Sequence, residues 1–89
     1  MSHPIKSDLI VMYSTNWCPD CKRIKILLNN QNISFLEIDI DKDNSASDFV
    51  RAFNNGKRII PTIFFPDGTT MVEPSNQVVI DKLGLKSKN

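Results

Sequence analysis

The 89-residue sequence has few of the residues that would define several common protein classes. It has two cysteines and one histidine, too few for the four ligands of a structural zinc site. It has no apolar run near the roughly 20 residues that a membrane span needs, and no apolar stretch in its first eight residues that would suit a signal peptide. The sequence therefore predicts no metal site, no membrane association and a cytoplasmic location.

An excess of charge of one sign is also missing. Eleven Lys and Arg stand against ten Asp and Glu, giving a formal net charge of +1, and they are spread along the chain. This argues against a nucleic-acid partner, which would need a concentrated basic surface. At 40% hydrophobic and 24% charged residues the composition is that of a globular protein. We expect a monomer with a single domain over residues 1–89 and frayed ends at 1–7 and 86–89.

The sequence does contain two cysteines three positions apart, Cys18 and Cys21, between an apolar segment and a helical pattern. At the first turn of a helix this spacing puts both on one face, within the span of a disulfide. Unpaired backbone N–H groups and the helix dipole favour a thiolate at the first position. In a reducing compartment such a pair is more typical of catalysis than of a structural bridge. We predict that Cys18 is the nucleophile and Cys21 the resolving cysteine.

The residues around the pair are predicted to tune it. Pro19 falls at the first helical position, where its missing N–H costs nothing. The carboxylate of Asp20 is favoured at a helix N-terminus but opposes a neighbouring thiolate, and Lys22 and Arg23 partly offset that opposition. The alternative role for Asp20 is simple stabilisation of the helix end. Trp17 is predicted to pack against the substrate face.

The remaining pattern predicts the element order β-α-β-α-β-β-α. Strands are predicted at residues 9–13, 33–40, 59–65 and 69–72. Helices are predicted from 18 to about 30, from the cap residues 43–45 through residue 53, and after the turn and helix-start residues 73–76. The first strand is continuously apolar, as in a central strand buried on both faces. The second alternates apolar residues with acids, which predicts one solvated face. The apolar residues are Leu36, Ile38 and Ile40, and the acids are Glu37, Asp39 and Asp41. In the last helix Val78, Val79 and Leu83 are predicted to form the apolar face.

Three local features together resemble the glutaredoxins. These are Cys18-Pro19-Asp20-Cys21 after the first strand, Ile60-Pro61-Thr62 in the third, and Pro74-Ser75-Asn76 before the last helix. The resemblance covers about residues 8–85. It implies an α/β, thioredoxin-like fold in which three helices flank a four-stranded mixed sheet, the first two strands being parallel and the last two a hairpin.

The resemblance also explains an odd proline. Pro61 in a strand would delete a ladder hydrogen bond. In glutaredoxins the matching proline is cis and faces the cysteines, which leaves the backbone beside it, here at Ile60, free to pair with a substrate. The implied substrate-binding residues are Trp17, Pro19, Arg58, Ile60, Pro61, Ser75 and Asn76.

The resemblance does not determine which small thiol the protein uses. Many glutaredoxins hold the two carboxylates of glutathione with a basic residue before the cysteines and with Gly-Gly and a polar pair before the last helix. Here Glu73-Pro74 replaces the diglycine, whereas Ser75 and Asn76 match the polar pair. Either Arg58 or Lys57 is a candidate to meet a carboxylate. The second half of the chain looks closer to mycoredoxins, which act on mycothiol mixed disulfides.

The implied activity is that of a thiol–disulfide oxidoreductase acting on disulfide-containing or S-thiolated proteins. It needs no bound cofactor, and mycothiol, glutathione or a reductase supplies its electrons. One alternative is a thioredoxin-like electron donor to a protein such as ribonucleotide reductase. Another is an iron–sulfur cluster carrier in which Cys18 of two chains binds the cluster with external thiols, although Pro19 and the second cysteine argue against it.

Overall fold

The computed structural model describes residues 8–85, so the predictions of frayed ends at 1–7 and 86–89 lie outside the described residues. The elements are β1 (Ile10–Ser14), α1 (Pro19–Asn30), β2 (Phe35–Asp39), α2 (Asn44–Phe53), β3 (Thr62–Phe64), β4 (Thr70–Val72) and α3 (Asn76–Leu83). The predicted order β-α-β-α-β-β-α is confirmed. No helix within residues 8–85 is long and apolar enough to span a membrane.

The four strands form one mixed sheet in the order β2-β1-β3-β4. β1 and β2 are parallel, whereas β3 is antiparallel to both β1 and β4. All five residues of β1 are buried, as predicted for a central strand. The side chains of β1 alternate between two hydrophobic clusters, one on each face of the sheet. Because β1 is held on both faces, the start of the loop that follows it is fixed at the end of the sheet.

Each face of the sheet is covered by helices. On one face Ile10 and Met12 of β1 pack with residues of α1 and of α3. On the other face Val11 and Tyr13 pack with α2, where the ring of Tyr13 lies 5.4 Å from that of Phe49, measured between centroids. Because both faces of β1 are buried in this way, the fold is the three-layer arrangement that the resemblance implied.

The prediction for the second strand was wrong in two respects. First, β2 is shorter than predicted. Second, its apolar residues are not fully covered, since Leu36 is 42% exposed and Ile38 only half-buried, because β2 lies at the edge of the sheet. The acids are not simply solvated, since Glu37 accepts hydrogen bonds from the hydroxyl of Ser14 and from Nζ of Lys25, the latter at 2.9 Å. An edge strand has only one neighbour to cover it, which is why alternation alone misjudged its faces.

Two further predictions need correction. The third strand begins at Thr62, so Pro61 lies just before the strand, although its carbonyl still accepts a hydrogen bond from the N–H of Glu73 after β4. In α3 the side chain of Val79 is buried but that of Val78 is 45% exposed, because this short helix presents only a narrow stripe to the sheet.

Candidate active site

The loop after β1 presents the first cysteine at the start of α1. Cys18 is the N-cap of this helix, with extended backbone angles (φ −80°, ψ 114°), and Pro19 follows at its first position. The Sγ of Cys18 accepts a hydrogen bond from the backbone N–H of Cys21 at 3.1 Å. The sulfur thus takes the place that an oxygen acceptor usually has at an N-cap, where an N–H and the helix dipole stabilise negative charge on it.

The two cysteines differ in their surroundings. Both are free thiols, but Cys18 keeps 4% of its surface exposed whereas Cys21 has none. Burial, and then the hydrogen bond with Cys18, raise the pKa of the Cys21 thiol to about 12, while the backbone of Thr15 and the charge of Lys25 act in the opposite direction. At neutral pH Cys21 therefore keeps its proton.

The peptide bond between Ile60 and Pro61 is cis, as the resemblance implied. Ile60 belongs to the same hydrophobic cluster as Cys18 and Cys21, and the carbonyl of Pro61 accepts a hydrogen bond from the N–H of Glu73 at 2.9 Å. The backbone of Ile60 forms no hydrogen bond with any part of the chain between residues 8 and 85. An unpaired N–H and C=O beside the cysteines are available to a substrate backbone.

The guanidinium of Arg58 is held by contacts within the protein. Its Nε donates to the hydroxyl of Ser47 at 3.0 Å, and its Nη2 donates to the carbonyl of Ile40 and to the carboxylate of Asp41. The other oxygen of Asp41 accepts from the indole Nε1 of Trp17 at 2.8 Å. The structure therefore links two of the predicted substrate-binding residues, Trp17 and Arg58, through an aspartate.

Sequence analysis did not single out Asp41. It was grouped with the acids that alternate along the second strand. The signal that would have identified it is its position just after β2, because β1 and β2 are parallel and their carboxyl ends meet at the same edge of the sheet. The loop carrying Trp17 starts at that edge.

The predicted polar pair before α3 is also occupied by internal contacts. Ser75 is the N-cap of α3, and its hydroxyl accepts from the N–H of Val78 at 3.2 Å. The amide oxygen of Asn76 accepts from Nη1 of Arg23 at 2.7 Å, and Nη2 of the same arginine donates to the carbonyl of Pro74. Arg23, which was predicted only to offset the charge of Asp20, thus also joins α1 to this loop.

The two residues predicted to tune the thiol occupy different environments. One carboxylate oxygen of Asp20 lies 3.2 Å from Nη2 of Arg23, so its charge is offset by that guanidinium. Lys22 is exposed, and its backbone N–H donates to the carbonyl of Cys18 at 3.1 Å as part of the helix. The pairing of Asp20 with Arg23 reduces the repulsion expected between this carboxylate and a thiolate.

Comparison with known proteins identifies the family of this chain. The family model for glutaredoxin matches residues 10–70. A Mycobacterium tuberculosis protein named as a glutaredoxin is 39% identical over 74 residues, which are 83% of this chain and 88% of that protein. The chain belongs to the glutaredoxin family. Mycoredoxin 1 of Corynebacterium glutamicum is 36% identical to this glutaredoxin over 83% of the chain and 91% of the relative.

Solved structures agree with this assignment. The glutaredoxin-like protein NrdH-redoxin from Escherichia coli has a TM-score of 0.70 and 26% identity to this glutaredoxin, covering 83% of the chain and 92% of the other protein. A wheat glutaredoxin, at 22% identity, shares the fold with a TM-score of 0.67. The predicted thioredoxin-like fold is confirmed. With its cysteine pair and its family, the chain is a thiol–disulfide oxidoreductase of the glutaredoxin type.

Proposed function

We propose that this glutaredoxin reduces disulfide-containing and S-thiolated proteins with Cys18 as the nucleophile and Cys21 as the resolving cysteine. The single observation that carries the proposal is the difference between the two sulfurs. The Cys18 sulfur accepts an N–H at the start of α1, whereas the Cys21 thiol is fully buried and keeps its proton. The first is suited to be the anion and the second to act later.

The reaction then has two exchange steps and one reduction. The thiolate of Cys18 attacks one sulfur of the substrate disulfide, forming a mixed disulfide and releasing the other half of the substrate as a thiolate. Cys21 loses its proton to solvent and attacks the Cys18 sulfur, which forms the Cys18–Cys21 disulfide and releases the second half as a thiolate that takes up a proton from solvent. Two electrons, from two small thiols or from a reductase, return the pair to the dithiol form.

Formation of the mixed disulfide itself favours the second step. Two of the causes that raise the pKa of Cys21 are its hydrogen bond with Cys18 and the charge of Cys18. Both change when the Cys18 sulfur is bonded to substrate and carries no charge. The pKa of Cys21 therefore falls at the stage of the reaction in which it must become a thiolate.

The substrate is held by the backbone beside the cysteines. The unpaired N–H and C=O of Ile60 are suited to pair with an extended substrate segment, as one strand pairs with another. Pro19 is exposed directly after Cys18 and adds apolar surface without a backbone donor that would compete, whereas the side chain of Pro61 is fully buried. This arrangement supports binding of a peptide segment around the target cysteine.

We propose a mycothiol-type compound as the small thiol. The groups that would hold the carboxylates of glutathione are engaged elsewhere, Arg58 with Asp41 and Asn76 with Arg23. Glu73 adds a negative charge next to the Pro61 carbonyl that its N–H contacts. An uncharged, sugar-linked thiol avoids that repulsion, and a relative at 36% identity carries the name mycoredoxin.

The test is a comparison of one peptide carrying either a glutathione or a mycothiol mixed disulfide. We expect the wild type to turn over the mycothiol form faster, and Glu73→Gln to raise activity on the glutathione form alone. Asp48→Asn, which removes an exposed acid from α2, serves as the control and should change neither rate. A wild type that prefers the glutathione form would overturn the mycothiol assignment.

A second candidate function is electron donation to a protein, driven by thioredoxin reductase. It is favoured by the tryptophan directly before Cys18 and by the likeness to NrdH-redoxin, whose reported activity profile is thioredoxin-like. An NADPH-coupled assay with either thioredoxin reductase or a small thiol separates the two. An absorbance spectrum after anaerobic reconstitution tests the iron–sulfur alternative.

The state and location of the protein complete the proposal. We propose that it works as a monomer with one domain, in the cytoplasm, where small thiols and reductases keep the cysteine pair reduced. Sedimentation at assay concentrations tests the monomer, and cell fractionation tests the location.

A further inference from the structure

Trp17 combines high exposure with a fixed hydrogen bond. Its side chain is 62% exposed, the largest exposure among the large hydrophobic residues that the structure describes as exposed, and it directly precedes Cys18. Its only polar atom, Nε1, is nevertheless fixed to the carboxylate of Asp41 at 2.8 Å. The ring is thus both open to solvent and restrained in direction.

The acceptor of this hydrogen bond is itself anchored. Arg58 donates to Asp41, and the same guanidinium is fixed by the hydroxyl of Ser47 on α2 and by the carbonyl of the buried Ile40. The Arg58 guanidinium and the Trp17 indole hold the pKa of Asp41 below its usual range, so the carboxylate is charged at neutral pH. This series of hydrogen bonds runs from the core of the protein to the rim of the active site.

We propose that Asp41 and Arg58 are positioning residues that hold Trp17 as a flat apolar platform beside Cys18, and that this platform selects protein substrates with an apolar or aromatic side chain next to the reacting cysteine. The proposal rests on the proposed function, since it concerns which disulfides that same pair reduces. An aromatic ring that is already oriented loses little rotamer freedom on binding, so its full apolar area contributes to affinity.

Stabilisation of the fold is a weaker explanation for this arrangement. A ring that is mostly exposed buries little area on folding, and the hydrogen bond between exposed groups adds only a modest amount. A substrate side chain laid on the ring would bury that face. A small hydrophilic thiol offers no apolar group to do so, and the platform therefore distinguishes among proteins and not among small disulfides.

The first experiment measures whether Asp41 restrains the ring. Trp17 is the only tryptophan of the chain, so intrinsic fluorescence reports this residue alone. We expect Asp41→Ala to lower the fluorescence anisotropy and to increase quenching by acrylamide. Asp41→Asn, which keeps an oxygen acceptor for the indole, should retain most of the wild-type values. Asp67→Ala, which removes a different aspartate–cation pair in the β3–β4 turn, should retain all of them.

The second experiment uses two disulfide-linked peptides that differ in one residue beside the cysteine, leucine in one and serine in the other. With dithiothreitol as the reductant, we expect the wild type to reduce the leucine peptide with a KM about fivefold lower and a similar kcat, a modest difference of the size that one apolar contact gives. Asp41→Ala should lose this preference while its kcat on the serine peptide stays within about twofold. Asp41→Asn should keep most of the preference, and Asp67→Ala should keep all of it.

The outcomes distinguish failure of the Trp17 platform from failure of the proposed reductase function. Equal KM values in the wild type, or a preference that survives in Asp41→Ala, would overturn the platform while leaving the reductase activity in place. Unchanged anisotropy in Asp41→Ala would overturn the positioning role. A wild type that reduces neither peptide would instead contradict the proposed function.

Discussion

The guanidinium of Arg23 on α1 donates a hydrogen bond to the carbonyl of Pro74, 51 positions later in the chain, at 3.1 Å. With the bond to the amide oxygen of Asn76, it fixes the loop before α3 against α1, the helix that carries the cysteines. The position of the loop therefore depends on a residue two places after Cys21. A change in this arginine acts on the whole rim of the site.

Loss of this contact should destabilise the protein. We expect Arg23→Met to lower the free energy of unfolding by about 1 kcal/mol, since the guanidinium makes charge-assisted hydrogen bonds but is partly exposed. Urea unfolding followed by circular dichroism measures it. Arg51→Met is the matched control, because the one ion pair of Arg51 within residues 8–85 is with Asp48 on its own helix, at 4.0 Å. It should change the value by less than about 0.5 kcal/mol. Equal effects of the two substitutions would contradict the bridging role.

The two cysteines should respond differently to substitution. Cys18→Ser is expected to abolish reductase activity, because a serine hydroxyl stays protonated and cannot replace a thiolate. Cys21→Ser should lose activity on protein disulfides but keep part of its activity on S-thiolated peptides, whose adduct an external thiol resolves. Steady-state rates of both variants on both substrate types measure these losses of activity. Activity remaining in Cys18→Ser would show that another group is the nucleophile.

The buried Cys21 should make the reduced protein sensitive to alkali. Because its pKa is raised to about 12 in the folded state, the unfolded chain releases this proton at lower pH than the folded one. Stability from this group is complete below the ordinary thiol range and is lost as pH rises towards 12. We expect the urea midpoint of the reduced protein to fall between about pH 8 and pH 10. Tyr13, whose pKa burial also raises, adds to the loss at the upper end.

A matched variant isolates that contribution. Cys21→Ala removes the titrating thiol, so its midpoint should fall less over the same pH range than that of the wild type. Oxidation to the Cys18–Cys21 disulfide should have the same effect, since no thiol remains to ionise. Parallel curves for all three forms would be incompatible with a raised pKa of Cys21.

Thr15 offers a test of an unsatisfied polar group. Its hydroxyl is buried and has no hydrogen-bond partner within residues 8–85. We expect Thr15→Val to raise the free energy of unfolding by about 1 kcal/mol, because it removes the desolvation cost of that oxygen and keeps the branched shape. Thr62→Val is the control, since the equally buried hydroxyl of Thr62 donates to the carbonyl of Ile59 at 2.8 Å. It should be destabilising, and a loss of stability in both variants would mean that the Thr15 hydroxyl has a partner.

Replacing Glu73 by glycine should stabilise the protein because of the backbone geometry at this position. Its φ is +49°, in the left-handed region that side chains disfavour. We expect Glu73→Gly to raise the free energy of unfolding by about 0.5–1 kcal/mol. Glu73→Ala removes the same charge but keeps a Cβ, so thermal or urea unfolding of the two variants separates strain from electrostatics. A gain of the same size with alanine would assign the effect to charge.

Much of the fold and the centre of the site could be predicted from local patterns. The continuous apolar run of β1 indicated a central strand, and the cysteine spacing placed Cys18 and Cys21 at the first turn of a helix. The faces of β2 and the exposure of Val78 could not be predicted in the same way. Whether an apolar side chain is covered depends on which elements pack beside it, and an edge strand or a short helix has few neighbours.

The sequence by itself determined the chemistry and the order of the elements, because a nucleophile at a helix start and a period of two or 3.6 residues are local properties. The tertiary structure alone decided what the charged and polar side chains contact. Arg58 was a candidate for a substrate carboxylate and is paired with Asp41, and Asn76 is held by Arg23. Such pairs join residues that lie 17 and 53 positions apart, and only the packing of strands and helices brings them within hydrogen-bonding distance.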